Sequence, residues 1–280
     1  MSRQDNIEIF SDTQRIYTND PYLINAVKKS ISTQELFAAG SPYMEQNDCP
    51  NIHSAKILVS KKRTLEAAAA YTGKEVCILN FASATNPGGG VTKGSSAQEE
   101  AICRCSTLFP CLDAQKIWNG FYAPHRSQRD PLHNDDCIYT PNIVVFKSDT
   151  RYPQLLPKDN WYSVNVLTCA APNLRKKPSN DMNSGDGKDA AMICMSELQE
   201  LHEKRIRKVL EIASRKGNTV IILGAFGCGA FCNPPQVVAQ AMKTVVKEYR
   251  TRFEIIELAV YCTAKDDTNY RVFQSILGNL

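Results

Sequence analysis

Two apolar runs in this chain pass almost straight into glycines, and that junction restricts the fold more than any other feature. Val76 to Phe81 leads, after a short link, to Gly88, Gly89 and Gly90; Val220 to Leu223 leads into Gly224, Gly227 and Gly229. Continuous apolar runs of this length suit strands buried on both faces, which is the habit of parallel sheets covered by helices. Glycine has no side chain, so the backbone beyond each strand can take positive φ and come close to a bulky anionic ligand. In open α/β sheets, loops at the carboxyl ends of strands face one crevice where ligands bind. The two loops are therefore expected to share a ligand that carries phosphate.

The rest of the chain fits that expectation. Strands are predicted at Ile57 to Val59, Asn142 to Phe146, Ser163 to Cys169, Thr219 to Leu223 and Ile255 to Tyr261. Helices are predicted at Leu65 to Tyr71, Ser196 to Lys216, Pro234 to Tyr249 and Asp267 to Leu277, with Gly217 as a C-terminal cap. Alternating elements of this kind predict an α/β three-layer sandwich with a mixed, mainly parallel sheet over residues 55–280. Residues 1–54 read as an N-terminal helical accessory segment, with one helix from Asp20 to Phe37 and a breaker at Gly40-Ser41-Pro42. Trp118 to Asp136 and Pro172 to Lys188 read as long surface loops, the second mobile. His125 and His133 fall in the first and are expected to be solvated, while Trp118, Tyr122 and Tyr139 are expected to anchor core or loop.

Composition excludes more than it assigns. With 43% hydrophobic residues the chain can bury a sizeable core, yet no run approaches the ~18 consecutive apolar residues that span a bilayer. A soluble intracellular protein, cytoplasmic or nuclear, is expected. Its eleven cysteines lie singly inside apolar runs, which suits a reducing compartment better than a disulfide framework. Cys103, Cys105 and Cys111 lack zinc-site spacing, so helix packing is expected of them, and neither metal nor cofactor is expected. A net charge of +4 without a basic block favours anionic partners but not sequence-specific nucleic acid, and no membrane partner is expected.

The glycine loops allow finer distinctions. Gly227 and Gly229 start a dinucleotide fingerprint, but its third glycine position holds Cys232, and no Gly-Lys-Ser/Thr follows either strand. Asn233 and Pro234 read as N-cap and first residue of the following helix, which would aim its amides at phosphate. Cys228 reads as a small packing residue, since no histidine partner for a nucleophile is visible. After a spacer of seven residues beyond Gly90 stands Gln98-Glu99-Glu100, at the head of a helix running through Ala101, Cys105 and Leu108. Ser96 to Glu99 matches a capping box, which explains Glu99 and leaves Glu100 as either a first-turn charge or a catalytic acid.

Together, Gly88 to Gly90 and Gln98-Glu99-Glu100 resemble the signature of poly(ADP-ribose) glycohydrolases, in the bacterial-type branch found in microbes and fungi. The resemblance continues through Thr168 to Asn173 and Leu223 to Pro234, so it spans most of the chain from Ile57 to Tyr261. It implies a macrodomain that binds ADP-ribose and hydrolyses ribose–ribose bonds of ADP-ribose chains, releasing ADP-ribose. By position, Glu100 matches the catalytic acid/base and Glu99 the carboxylate that holds ribose hydroxyls. Asn86 matches a distal-ribose contact, Gly88, Gly89 and Gly90 the approach to the diphosphate, and Gln98 a brace for the loop. Gly227, Cys228, Gly229 and Ala230 would wrap the diphosphate, with Phe231 beside the ribose. The spacer Val91 to Ala97, with Lys93 and two serines, and the polar Pro172 to Lys188 loop depart from the family pattern. A hydrolase of mono-ADP-ribosylated acceptors and a non-catalytic ADP-ribose reader are the alternatives; two adjacent glutamates argue against the reader.

Overall fold

The computed structural model of the protein describes residues 1–40 and 54–280; the Ser41-Pro42 part of the breaker lies outside them. In chain order the elements that matter are α1 (Arg3–Asn19), α2 (Pro21–Thr33), β1 (Glu35–Phe37), β2 (Lys56–Ser60), α3 (Thr64–Ala69) and β3 (Val76–Ala82). They continue with α4 (Gln98–Cys105), α5 (Leu108–Leu112), α6 (Gln115–Ile117), α7 (Ala123–Gln128), β4 (Cys137–Val145) and β5 (Tyr162–Ala170). The last are α8 (Met195–Arg215), β6 (Val220–Leu223), α9 (Pro235–Tyr249), β7 (Ile255–Ala259) and α10 (Thr268–Leu277).

One seven-stranded sheet runs in the order β1-β4-β5-β3-β6-β7-β2. The five strands from β5 to β2 are parallel, and β4 and β1 add antiparallel at one edge. Strand periodicity sorts the core into two layers. Cys77, Leu79, Ile221 and Leu223 pack on Val209, Leu210, Val238, Met242 and Phe273 of α8, α9 and α10. Their neighbours Val76, Ile78, Val220 and Ile222 pack on Leu65, Ile102, Leu108 and Cys111 of α3, α4 and α5. This is the expected three-layer sandwich, and β3 and β6 lie side by side at its centre with their glycine loops at the same end.

The N-terminal stretch differs from its prediction. It holds two helices rather than one; the second stops at Thr33, and Glu35–Phe37 pair with β4 as a strand. The helix α1 buries Asn6, Phe10, Thr13 and Tyr17, a helical stripe that is half polar and so gives little apolar signal. Its polar members are tied to the site-bearing region: Asn6 Nδ2 donates to the Gly94 carbonyl at 3.0 Å and Thr13 Oγ1 to that of Arg104 at 2.6 Å.

Two other predictions are corrected. Trp118 to Asp136 is not a surface loop, because Trp118–Tyr122 forms a π-helical turn that leads directly into α7 and buries Phe121 and Tyr122. Neither histidine there is solvated. His125 bonds the Phe121 carbonyl at 2.7 Å and Asn134 Oδ1 at 2.9 Å, and His133 bonds the Ala171 carbonyl at 2.9 Å. The strand β4 starts at Cys137, well before Asn142, because a bulge between Thr140 and Ile143 absorbs Pro141 and a positive φ at Asn142. Among the described residues no helix is long and apolar enough to cross a membrane.

Candidate active site

The turn after β3 is shaped by the two glutamates that follow it. Gly88 and Gly89 take φ of +63° and +61°, a region that β-carbons disfavour. A Cβ on Gly89 would stand 2.5 Å from Glu100 Oε1 and 3.0 Å from Glu99 Oε2, so both carboxylates converge on that bare backbone. The Gly90 amide donates to Glu100 Oε1 at 2.9 Å. Gln98 bridges the strand end: its Oε1 accepts from the Phe81 amide at 2.9 Å, and its Nε2 donates to Leu79 O at 2.8 Å and Thr64 Oγ1 at 3.0 Å. It thus fixes the head of α4 to β3 and α3.

The capping box expected from Ser96 and Glu99 is not formed. Ala97 is the N-cap, without a side-chain bond, and Glu99 turns inward instead. Its Oε2 accepts from the Ser83 amide at 2.8 Å and its Oε1 from Asn80 Nδ2 at 3.1 Å. The helix ends at Cys105, and a second short helix, α5, carries Leu108 and Cys111. Cys103, Cys105 and Cys111 are buried behind this wall in the core. Burial, reinforced by the Glu100 charge, pushes the Glu99 carboxyl well above the usual range against the bonds from Ser83 and Asn80.

The facing wall is the loop after β6. Gly227 has φ +78°, and a Cβ there would lie 2.6 Å from both Ala171 Cβ and Asn233 Nδ2. Asn233 is not the N-cap of α9, a position held by Pro234. Its side chain is buried inside the loop, donating to Pro172 O at 2.7 Å and Gly227 O at 3.0 Å, while Oδ1 accepts from His202 Nε2 at 2.9 Å. Burial lowers His202 to about 4, so a neutral imidazole makes that donation. Asn233→Ala would strand these groups and is expected to lower unfolding stability by about 1–3 kcal/mol, read from urea unfolding. No loss of stability would show that the loop holds itself.

With the loop held this way, the amides of Gly227, Gly229, Ala230 and Phe231 have no acceptor among the described residues, whereas that of Cys228 donates to Ala225 O at 3.0 Å. These four residues and the two glutamates line one cavity of about 640 Å³, within the usual range for ligand pockets. Gly89, Gly90, Gln98, Glu99 and Glu100 line one side; Gly227, Gly229, Ala230 and Phe231 line the other. Asn86, Gly88 and Cys228 stand behind this lining. The Asn86 amide is taken up by Ser184 O at 2.8 Å and Arg126 at 3.2 Å. A Cβ on Gly88 would meet Phe109 and Cys103, and burial pushes the Cys228 thiol up to about 12.

Several lining residues have no motif to betray them: Arg63, Asp149, Arg175, Asn180, Met182, Asn183 and Tyr261. Arg63 and Tyr261 follow β2 and β7, so the rule that ligands sit beyond strand carboxyl ends could have found them. The Arg63 guanidinium lies 3.9 Å from the Tyr261 ring centroid. Arg175 to Asn183 belong to the Pro172 to Lys188 loop, which folds back onto the glycine turn: Lys93 bonds the Asp181 carbonyl, and Ser83 Oγ donates to Asn183 Oδ1 at 2.6 Å. Among the described residues no cluster of side chains could hold a metal ion.

Residues 4–148 match the family model described as microbial-type PARG, catalytic domain. Among solved structures, the chain is similar to the poly(ADP-ribose) glycohydrolase of Thermomonospora curvata bound to the inhibitor ADP-HPD. The identity is 29% and the TM-score 0.78, over 97% of this chain and 99% of that one. The enzyme of Deinococcus radiodurans in complex with ADP-ribose is 26% identical with a TM-score of 0.75, over 90% of this chain and 97% of that one. A search of curated proteins found no match.

Proposed function

The chain belongs to the family of microbial-type PARG catalytic domains, and from that premise we infer that it hydrolyses the ribose–ribose bonds of poly(ADP-ribose) and releases ADP-ribose. The observation that carries this reading is the pairing of two buried glutamates with unsatisfied backbone amides across one cavity. Amides without an acceptor suit the diphosphate, and a carboxyl pair at the far side suits the glycosidic bond beyond the ribose.

The hydrogen bonds divide the work between the glutamates. Both Glu99 oxygens accept from protein donors, Asn80 Nδ2 and the Ser83 amide, so this side chain is held in place to orient ribose hydroxyls. Glu100 Oε1 also faces a donor, the Gly90 amide, which leaves Oε2 as the oxygen that carries the proton. Glu100 delivers it to the departing ribose oxygen as the bond to the anomeric carbon breaks toward an oxocarbenium ion. The resulting carboxylate then takes a proton from the water that attacks that carbon, which restores the acid. Phe231, on the facing wall, packs beside the ribose.

Gly89→Ala tests how closely the turn and the pair are matched. The positive φ and the approach to Glu100 are expected to cost about 1–3 kcal/mol of stability and to displace the carboxylates. Turnover is expected to fall at least tenfold, measured as ADP-ribose release per folded enzyme; unchanged turnover would separate the turn from the chemistry.

Incubation with poly(ADP-ribose) and, separately, with a mono-ADP-ribosylated protein tests the function itself. Free ADP-ribose from the polymer is the expected result. Release from the modified protein alone would favour the mono-ADP-ribosyl hydrolase, and release from neither the reader. The setting proposed for this activity is the reducing interior of a cell, cytoplasm or nucleus, supported by the ten free thiols of the described residues.

A further inference from the structure

We propose that Asp186, a carboxylate outside the reactive pair, is a positioning residue that sets Glu99 through Asn183 and Ser83. The proposal rests on the reading of Glu99 as the group that orients ribose. Asp186 is fully buried in the Pro172 to Lys188 loop. Its Oδ2 accepts from Asn183 Nδ2 at 2.6 Å and Asn173 Nδ2 at 2.7 Å, and its Oδ1 accepts from Thr85 Oγ1 at 3.1 Å. His133 Nε2 lies 3.3 Å from the same Oδ1. Asn183 Oδ1 accepts from Ser83 Oγ at 2.6 Å, and the Ser83 amide donates to Glu99 Oε2 at 2.8 Å.

The charge on Asp186 gives this chain a single sense. Burial works to raise its pKa, but the nearby His133 ring and the amides of Asn173 and Asn183 outweigh burial and hold it below the usual carboxylate range. An ionised carboxylate only accepts, so Asn183 must turn its NH₂ toward Asp186 and its carbonyl oxygen toward Ser83. Ser83 must then donate its hydroxyl proton, which leaves its lone pairs for the amides of Thr85 at 3.3 Å and Asn86 at 3.1 Å. The turn after β3 is thus wound around Ser83, and its amide is aimed at Glu99. An amide at position 186 can donate as well as accept, so Asn183 is released to flip and the sense of the chain is lost. The amides of Gly227, Gly229, Ala230 and Phe231, in the other part of the cavity lining, take no part.

Asp186→Asn, Ser83→Ala and the double variant, made in the full chain and assayed beside the wild type on poly(ADP-ribose), decide the matter. Each single variant is expected to lower kcat about tenfold, with the ADP-ribose Kd within about threefold of wild type, since a small misplacement costs turnover before it costs diphosphate binding. The double variant is expected to lose no more than the worse single one, because both cut the same chain. A residue that only supports the fold would lower the melting temperature and leave kcat per folded molecule unchanged. Unchanged kcat in either single variant, or losses that multiply in the double, would overturn the proposal. Should Asp186→Asn fail to fold, Ser83→Ala decides alone. Wild-type turnover in the same assay reports separately on the underlying function.

Discussion

Glu100→Gln is expected to lower the turnover of poly(ADP-ribose) by about 10²–10⁴-fold, while the Kd for ADP-ribose stays within a few-fold of wild type. Glutamine keeps the size of the side chain and an oxygen that can accept the Gly90 amide. What it loses is the exchangeable proton that must pass to the leaving ribose oxygen. Binding is expected to be spared because the proposed diphosphate contacts, the amides of Gly227, Gly229, Ala230 and Phe231, lie in another part of the cavity lining that the substitution does not touch. Single-turnover kinetics with calorimetry of ADP-ribose binding separates the two quantities. Turnover within tenfold of wild type would remove Glu100 from the acid/base role.

Glu99→Gln is expected to move stability and activity in opposite directions. The folded protein holds this carboxyl well above the usual carboxylate range, because burial and the Glu100 charge penalise its ionised form. A carboxyl raised on folding contributes its full stability below about pH 4.5 and loses it as pH rises through the folded pKa. A neutral amide has no such loss. The variant should match the wild type near pH 4 and become the more stable of the two as pH rises toward 8. The site can accommodate the amide: Asn80 Oδ1 is buried without a hydrogen-bond partner, and a flip of Asn80 would present it to the introduced NH₂. Turnover should nonetheless fall about 10- to 100-fold, since an NH₂ replaces one of the two oxygens proposed to meet the ribose. Urea unfolding from pH 4 to pH 8 reads the first effect, and a gain that does not grow with pH would contradict it.

Much of this was legible in the sequence because it depends on local chemistry. The strands β3, β5 and β6 are buried on both faces and read as mainly apolar runs, interrupted only by Asn80 in β3 and by Ser163, Asn165 and Thr168 in β5, so their positions follow from the pattern. The glycine turns and Gln98-Glu99-Glu100 lie next to those strands in the chain. What could not be read depends on contacts distant in sequence. Helix α1 is stabilised partly by Asn6 and Thr13 bonding Gly94 and Arg104, about 90 residues away, so its buried face lacks the apolar stripe that marks a helix. Ser96 and Glu99 satisfied the spacing of a capping box, yet two partners on β3 and its turn outcompeted the cap. The Pro172 to Lys188 segment is polar in the way of a surface loop, but its Asn173, Asn183 and Asp186 are buried and bond one another and Ser83 rather than water.

In the proposed complex, Glu100 and the amides of Gly227, Gly229, Ala230 and Phe231 grip the two ends of one ADP-ribose unit. A crystal structure of the Glu100→Gln protein with ADP-ribose tests this most directly. The expected result places the anomeric carbon of the distal ribose about 3–4 Å from the side chain at position 100, with diphosphate oxygens within hydrogen-bond distance of the Gly227, Gly229 and Ala230 amides. A ligand whose distal ribose points away from residues 99 and 100, or whose diphosphate rests elsewhere, would contradict it.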